Sequence, residues 1–219
     1  MQIDLPSRQS ISLAIDNGLN EDYHLVRLYY SWYAGWFYRH RLKMVADALD
    51  TVHVEKSLDI GTGSGIFLKQ LLKHADHVTG IDIHKTYNGV YKMLEQEGVD
   101  QSRVELREGS ILEIPFPDAS FDVVTCISVL EHFADPYPAL SEIKRVLKPG
   151  GIFIWGCPAK SRFTDFLFKS LGYDSDDIHP GNHRKILATT QDNFSVESIQ
   201  QFPFTAMPMY MVCRAHKPS

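Results

Sequence analysis

Residues 59–65 read Asp-Ile-Gly-Thr-Gly-Ser-Gly, with glycines at three alternate positions. The apolar run at 57–60 is typical of a short buried strand, and the apolar residues after the glycines recur at helical spacing. A strand, a glycine turn and a helix bring backbone close to a ligand and point N–H groups toward it. This order of elements indicates a site for a nucleotide-type cofactor.

The spacing of the glycines narrows the choice of cofactor. Dinucleotide-binding turns read Gly-x-Gly-x-x-Gly, with an acid about 20 residues further on. Here Gly61, Gly63 and Gly65 are spaced more tightly, and Asp59 stands two positions before the first of them. A second acid, Asp82, ends the next strand-like run, where its carboxylate can accept hydrogen bonds from both hydroxyls of a ribose.

Both acids also have a purely structural interpretation. Asp59 could cap the helix that starts near Gly65, and Asp82 could cap a helix that begins near Lys85. The sequence alone leaves these alternatives open.

Strand-like and helix-like runs alternate from residue 57 onward. Such alternation implies right-handed crossovers and a mostly parallel sheet with helices on both faces. The last two strand-like runs have no helix between them, which predicts an antiparallel hairpin. The predicted strands are 57–60, 77–82, 103–108, 121–127, 151–157, 195–202 and 209–215; the predicted helices are 65–74, 86–96 and 138–147.

The 219 residues, with 44% hydrophobic and 22% charged side chains, predict a single α/β domain over 1–219. We expect an N-terminal arm and helical lid at 1–50, with residues 1–20 loosely held and two helical pieces broken near 34–35. A core at 51–157 follows, then an insertion at 158–190 that covers the substrate. The hairpin occupies 191–219.

Charge and cysteine content limit the partners and the compartment. A net charge of −5 argues against nucleic acid as a partner, because nucleic-acid binding needs a basic face. The three cysteines are far apart and form no Cys-x-x-Cys, which predicts reduced thiols in the cytoplasm. Neither a leader nor a run of roughly 18 apolar residues is visible, so no stable membrane insertion is expected. The oligomeric state stays open.

The chain also resembles a known family, the class I, Rossmann-like S-adenosylmethionine-dependent methyltransferases. The resemblance covers roughly residues 55–157 and rests on several blocks in the family's order. These blocks are 59–65, 80–82, 114–124, 129–133 and 145–151. It implies a three-layer, doubly wound sandwich whose seven-stranded, mostly parallel sheet has the order 3-2-1-4-5-7-6, with the last strand antiparallel.

The resemblance also implies S-adenosylmethionine as cofactor, S-adenosylhomocysteine as product, and a set of contacts. Asp59 and the turn would line the methionine and ribose portion, Asp82 would hold the ribose hydroxyls, and Ile83 would pack on the adenine. Ser110 stands where the family often has an acid for the adenine amino group, and a neutral acceptor gives a weaker hydrogen bond. The implied cofactor residues are Asp59, Gly61, Thr62, Gly63, Gly65, Asp82, Ile83, Ser110, Ile111, Ile127 and Ser128.

His132, just past the fourth strand, is the candidate catalytic residue. Its ordinary pKa of about 6.5 suits removal of a proton from a weakly nucleophilic acceptor near neutral pH. It could instead only shape the pocket, and the neighbouring Glu131 could contact the cofactor or orient the histidine.

Two other segments are unusual. Seven of the ten residues at 29–38 are aromatic; helical spacing predicts a core stripe through Leu25, Leu28, Tyr29, Trp32, Tyr33 and Trp36. The surplus aromatic surface predicts a substrate lid, with Tyr30, Tyr33 and Phe37 as candidate acceptor contacts, although a well-packed helix pair is the alternative. The loop at 174–184 is expected to form a polar rim of the cleft, with no metal site.

These observations predict an enzyme that transfers a methyl group to a small-molecule oxygen, nitrogen or carbon, with lipid- or sugar-type metabolites among the acceptor classes. One alternative is a regulatory module that binds the cofactor without catalysis. Another is a nicotinamide-dependent oxidoreductase.

Overall fold

The computed structural model describes residues 3–19, 21–159 and 182–219, with only the backbone described at 21–25. Most of the predicted insertion, residues 160–181, lies outside the described residues, and with it most of the loop at 174–184. The chain divides into two compact units, Met1–Ser110 and Ile111–Ser219. Whether they act as one domain stays a prediction.

In the described residues, seven strands form one sheet in the order β3-β2-β1-β4-β5-β7-β6. β1 and β2 pair in parallel, as do β2 and β3, and β4 and β5. β7 runs antiparallel to both β5 and β6. The predicted fold class and strand order are confirmed. The strands are β1 Val54–Ile60, β2 Ala75–Asp82, β3 Val104–Glu108, β4 Phe121–Ile127, β5 Leu147–Pro158, β6 Ser195–Phe204 and β7 Met207–His216.

The helices of the described residues fall into two kinds. The α-helices are α1 Arg8–Asp16, α2 Gly35–Ala48, α3 Leu68–Leu71, α4 Asn88–Gln96, α5 Tyr137–Val146 and α6 His183–Asn193. The 3₁₀-helices are Glu21–Tyr30, Gln101–Arg103 and Leu130–His132. The predicted break near 34–35 is present, because the long 3₁₀-helix ends at Tyr30 and α2 begins at Gly35.

The helix after the glycine turn is shorter than the predicted 65–74. Only one α-helical turn forms, and hydrogen bonds of 3₁₀ type flank it, from Leu68 N to Gly65 O at 3.1 Å and from His74 N to Leu71 O at 2.8 Å. Apolar spacing does not distinguish an α-helix from 3₁₀ turns over so short a segment.

The segment before the fifth strand also differs from its prediction. The strand was predicted to begin at 151, but β5 already begins at Leu147, and residues 148–151 form an irregularity between its first pairing and Ile152. Gly150 takes a positive φ of 73° there. Its N–H donates to Lys217 O at 3.0 Å, so the residue directly after β7 completes the hydrogen bonding that a bulge leaves open.

Arg145 does not lie on an exposed face of α5, as its sequence position suggests. Its guanidinium donates to the carbonyls of Ile114 and Phe116 at 2.9 and 2.8 Å and to Asp118 at 2.9 Å. It therefore ties the loop before β4 to α5. Asp118 serves as a turn residue, as expected, and Asp122 pairs with Lys148 at 2.7 Å.

Residues 3–19 are not a loosely held arm. α1 is capped by Ser7, whose side chain accepts from Ser10 N at 3.1 Å, and it packs on α4. The packing is close: a Cβ on Gly89 of α4 would lie 2.3 Å from the Ala14 carbonyl oxygen. Composition alone suggested a loosely held arm, whereas α4 and Glu97, which hold α1, lie more than 70 residues further along the chain.

Glu97 anchors the start of α1. Its carboxylate accepts from Ser7 N at 2.7 Å, Ser10 Oγ at 2.6 Å and Lys69 Nζ at 2.8 Å. Burial alone raises the pKa of Glu97, but these hydrogen bonds outweigh it and lower the pKa to about 2, from an ordinary 4.5. One pKa unit corresponds to about 1.4 kcal/mol, so the anchor contributes at most about 3 kcal/mol.

A pH-dependent stability test follows from this anchor. Because the pKa of Glu97 is depressed on folding, its contribution is present above the unfolded value near 4.5 and is lost as the pH falls toward 2. We expect Glu97→Gln to lower the free energy of unfolding by about 1–3 kcal/mol at pH 7, in chemical denaturation. The difference should vanish at low pH. Exposed Glu95→Gln is the control, and an equal loss in both variants would contradict the anchor.

Candidate cofactor and active site

In the first unit, the glycine turn is bonded to the neighbouring strand. Gly61, Gly63 and Gly65 have φ values of 73°, 50° and 69°, which other residues adopt only with strain. The N–H groups of Gly61 and Thr62 donate to the Ile81 carbonyl at 2.8 and 3.1 Å. Gly65 N donates to Thr62 O at 2.8 Å.

These bonds change the expected role of the turn. We expected its N–H groups to point toward a ligand, but those of Gly61, Thr62 and Gly65 are used within the protein. α3 is a single turn, with Phe67 at its N-cap, so it supplies little helix dipole. The contribution of the glycines at this site is therefore close approach of the backbone rather than a row of free donors.

Asp82 is the centre of the first unit's site. Its Oδ2 accepts from Gly63 N at 2.8 Å, and its side chain is only 11% exposed. The other oxygen, Oδ1, lies at longer range from His84, 3.4 Å from its N and 3.6 Å from its Nε2. Oδ1 thus keeps accepting capacity for a ligand hydroxyl at the carboxyl end of β2.

Neither acid caps a helix. The N-cap of α4 is Tyr87 and that of α3 is Phe67, and neither helix has a capping side-chain hydrogen bond. Asp59 is buried at the end of β1. The capping alternatives left open by the sequence therefore do not apply.

Gly80 explains why the turn can lie so close to β2. A Cβ at Gly80 would stand 2.9 Å from Thr62 Oγ1 and 2.7 Å from Leu106 Cδ2. The threonine is itself buried, and its hydroxyl has no hydrogen-bond partner in the described part of the chain. The missing side chain at Gly80 leaves the space into which Thr62 packs.

The residues beyond Asp82 offer both an apolar and a polar surface. Ile83 is 72% exposed, directly after the acid, which is an uncommon position for an isoleucine. Tyr87 donates its hydroxyl to Arg107 O at 2.9 Å, and burial, followed by the charge of Asp82, raises the pKa of Tyr87 to about 12. Ser110, which follows β3, is half-buried.

In the second unit, the end of β4 is held in a strained turn. Ser128 has a φ of 56°, unusual for a residue with a Cβ, and such strain is concentrated at functional sites. Its N–H donates to Gly156 O at 2.7 Å, and its Oγ lies 3.2 Å from the Tyr210 hydroxyl. Ile127 is half-buried beside it, and Ile111 is buried.

Sequence reasoning missed Tyr210. This fully buried tyrosine fits because Gly156 of β5 has no side chain: a Cβ there would stand 2.8 Å from the tyrosine oxygen. A glycine inside a strand often marks such close approach. That pattern was available in the sequence, but the partner residue on β7 was not.

His132 ends the 3₁₀-helix Leu130–His132, directly after this turn. Its side chain is exposed, yet the protein around the ring still removes enough water to lower its pKa below the ordinary 6.5. The imidazole is therefore mainly neutral near pH 7, the form that can accept a proton. Glu131 beside it is buried.

α6 packs near this turn and includes the end of the predicted polar loop. Asn182 caps α6 by accepting from Arg184 N at 2.8 Å, and Lys185 Nζ donates to Ala134 O at 2.7 Å. His183 is buried, so it belongs to the helix packing rather than to a polar rim. Among residues 3–19, 21–159 and 182–219, no group of three histidine, cysteine or acidic side chains could hold a metal ion; His179 lies outside these ranges.

The predicted core stripe in the aromatic segment is wrong. Trp32, Tyr33 and Trp36 are 95%, 68% and 64% exposed. The stripe assumed 100° per residue, but residues up to Tyr30 form a 3₁₀-helix, and a turn separates them from α2. Both features shift the phase, so Trp32, Tyr33 and Trp36 face outward, whereas Leu28 and Tyr29 are half-buried.

The three candidate acceptor contacts differ in their surroundings. Tyr33 is exposed, and Phe37 is half-buried below Arg41, whose guanidinium carbon lies 5.6 Å from the ring centroid. Tyr30 is half-buried and donates its hydroxyl to the Pro6 carbonyl. Burial, followed by the charge of Glu97, raises the pKa of Tyr30 to about 12.

The strand order and the glycine turn of the first unit define a Rossmann-like protein with a cofactor turn. Residues 58–155 match the family model described as "Methyltransferase domain". This segment is a methyltransferase domain, which agrees with the family resemblance found in the sequence. The predicted enzyme class, a methyltransferase, is confirmed for this segment.

Curated relatives agree with the domain but are longer than the match. The chain is 33% identical over 135 residues to a ubiquinone biosynthesis O-methyltransferase of Alkalilimnicola ehrlichii, covering 60% of this chain and 53% of that protein. It is 35% identical over 127 residues to a sterol 24-C-methyltransferase of Gibberella zeae, covering 56% of this chain and 30% of that protein. The chain thus spans about half, or less, of the length of these relatives.

A solved structure matches nearly the whole chain. The N-methyltransferase NodS from Bradyrhizobium japonicum, in complex with S-adenosylhomocysteine, superposes with a TM-score of 0.68 over 96% of this chain and 99% of that one. At 18% identity, this likeness shows the fold alone. Among the described residues, no helix is both long and apolar enough to cross a membrane.

Removal of the Asp82 carboxylate tests whether this side chain holds the cofactor. Asp82→Ala should weaken S-adenosylhomocysteine binding in calorimetry at least ~10-fold, because hydrogen bonds to a charged acceptor contribute about 1.5–3 kcal/mol. Asp76→Ala, an exposed acid on the same strand, should bind as the wild type does. Equal affinity in all three proteins would mean that Asp82 does not hold the cofactor.

Proposed function

We propose that this chain binds S-adenosylmethionine and transfers its methyl group to a small-molecule oxygen, nitrogen or carbon. The observation that carries the proposal is the Asp82 carboxylate, which accepts from Gly63 N at 2.8 Å and keeps its second oxygen for a ribose hydroxyl. The match of residues 58–155 to a methyltransferase model supports it.

The residues of the first unit fit this cofactor by shape and by donor chemistry. The glycine turn gives close backbone approach, Asp82 accepts from the ribose, and exposed Ile83 offers an apolar surface to the adenine. In the second unit, Ile111 contributes a main-chain N–H toward the ring. Ile127 and Ser128 present main-chain groups to the methionine end, and Tyr210 holds Ser128 in position.

The remaining task of the protein is to position the acceptor. When bound, the cofactor supplies a methyl group already activated on sulfur. The chain's residues hold the acceptor in line and exclude water, which contributes up to about 7–11 kcal/mol in favourable cases. His132, neutral at pH 7 because of its lowered pKa, accepts the acceptor's proton where the acceptor is a weak nucleophile.

The acceptor class follows from the exposed aromatic segment. Tyr33 and its exposed neighbours form an apolar surface next to the basic side chains of α2, which suits an apolar molecule with an anionic or polar head. Two relatives, a ubiquinone biosynthesis O-methyltransferase and a sterol 24-C-methyltransferase, are in keeping with an apolar acceptor. Tyr30, Tyr33 and Phe37 are the proposed contacts.

The proposed setting is the cytoplasm, without nucleic acid as a partner. Cys126, Cys157 and Cys213 are all buried free thiols, and burial raises the pKa of the Cys157 and Cys213 thiols. Such thiols are unreactive and place no demand on an oxidising compartment. The net charge of −5 gives little attraction to a phosphate backbone.

His132→Ala tests the proposed base. The turnover number should fall roughly 10²–10⁴-fold, while the Kd for S-adenosylhomocysteine stays unchanged. Because the pKa of His132 is lowered, the acidic limb of the wild-type rate profile should lie below pH 6.5. Exposed His77→Ala is the control, and an unchanged turnover number in His132→Ala would remove the base from the proposal.

A turnover assay separates an enzyme from an inactive cofactor-binding module. The wild-type chain is mixed with S-adenosylmethionine and a panel of quinol, sterol and amine acceptors, and S-adenosylhomocysteine is measured. Acceptor-dependent formation of the product is expected. Tight cofactor binding with no product from any acceptor would favour the module.

A further inference from the structure

A cavity of about 210 Å³ lies in the first unit, apart from the glycine turn. α1 and the 3₁₀-helix Glu21–Tyr30 form its walls, and of its lining residues only Tyr30 is also a proposed acceptor contact. The cavity is lined by Arg8, Ile11, Ser12, Ile15, Arg27 and Tyr30.

The lining carries two positive charges and, among the described residues, no acid. Arg8 donates one guanidinium N–H to the Tyr30 carbonyl, which fixes the orientation of its side chain. Arg27 is exposed and takes part in none of the ion pairs or hydrogen bonds found in residues 3–19, 21–159 and 182–219. Two guanidinium groups at one small cavity repel each other, so an anion between them is favoured.

The other lining residues set the rest of the ligand's chemistry. Ile11 is 3% exposed and Ile15 is half-buried, so one wall is apolar. Burial raises the pKa of Tyr30 to about 12, so the phenol stays neutral and adds no negative charge. Its hydroxyl is already bonded to Pro6 O, which leaves the two arginines as the principal donors.

We propose that this cavity binds a small monocarboxylate with a short aliphatic chain. The carboxylate lies between Arg8 and Arg27, because the planar guanidinium binds carboxylates with paired, charge-assisted hydrogen bonds. The chain lies on Ile11 and Ile15. The volume is below the roughly 300–1,000 Å³ of sites for drug-sized ligands, which limits the ligand to a few carbons. The site stands whether or not the chain transfers methyl groups.

Calorimetric titration of the full chain with hexanoate tests the site. Saturable binding is expected, weaker by at least ~10-fold in Arg27→Gln and for uncharged hexanol. Arg184→Gln is the control, because it removes one exposed positive charge in the other unit. Ser12→Trp, at an exposed lining position, fills the cavity without altering the charge and should also abolish binding.

Three results would overturn the proposal. The first is an absence of saturable hexanoate binding to the wild type. The second is equal affinity of hexanoate for the wild type, Arg27→Gln and Ser12→Trp. The third is binding of acetate or inorganic phosphate as tight as that of hexanoate, which would show that the apolar wall plays no part.

Discussion

The hydrogen bond from Gly63 N to Asp82 Oδ2, at 2.8 Å, is the interaction on which the cofactor site depends. It joins the turn after β1 to the end of β2. The N–H groups of Gly61 and Thr62, which donate to the Ile81 carbonyl, belong to the same junction. The junction requires positive φ in the turn and no side chain at Gly80, so the glycines and the acid form one structural unit. A carboxylate held in this way is oriented before any ligand arrives, which lowers the cost of ordering on binding.

Much of the fold and of this junction could be predicted from the sequence, because both depend on local patterns of residue types. The alternation of strands and helices was sufficient for the fold class, and the sequence placed Asp82 at the end of β2, where the structure has it. The direction of the turn's N–H groups was not predictable, since their acceptors on β2 lie about 20 residues away. Tyr210 escaped prediction for the same reason: its position depends on a register between β5 and β7 that pairs Gly156 with Val212.

The N-terminal segment shows where prediction from residue spacing and composition fails. Helical spacing placed Trp32 and Trp36 in the core, but a 3₁₀-helix and a turn change the phase, and both are exposed. Composition suggested a loose arm, but Glu97 and Gly89 of a distant element hold α1. Neither outcome follows from local propensity, because both are decided by tertiary contacts. The same segment also carries the arginine-lined cavity.

The central claim is that the Asp82 junction builds a site for S-adenosylmethionine rather than for a nicotinamide cofactor. The most direct measurement is a calorimetric titration of the wild-type chain with S-adenosylhomocysteine and, separately, with NADH and NADPH. We predict saturable, one-to-one binding of S-adenosylhomocysteine and none of either nicotinamide cofactor. Binding of a nicotinamide cofactor, with none of S-adenosylhomocysteine, would contradict the account.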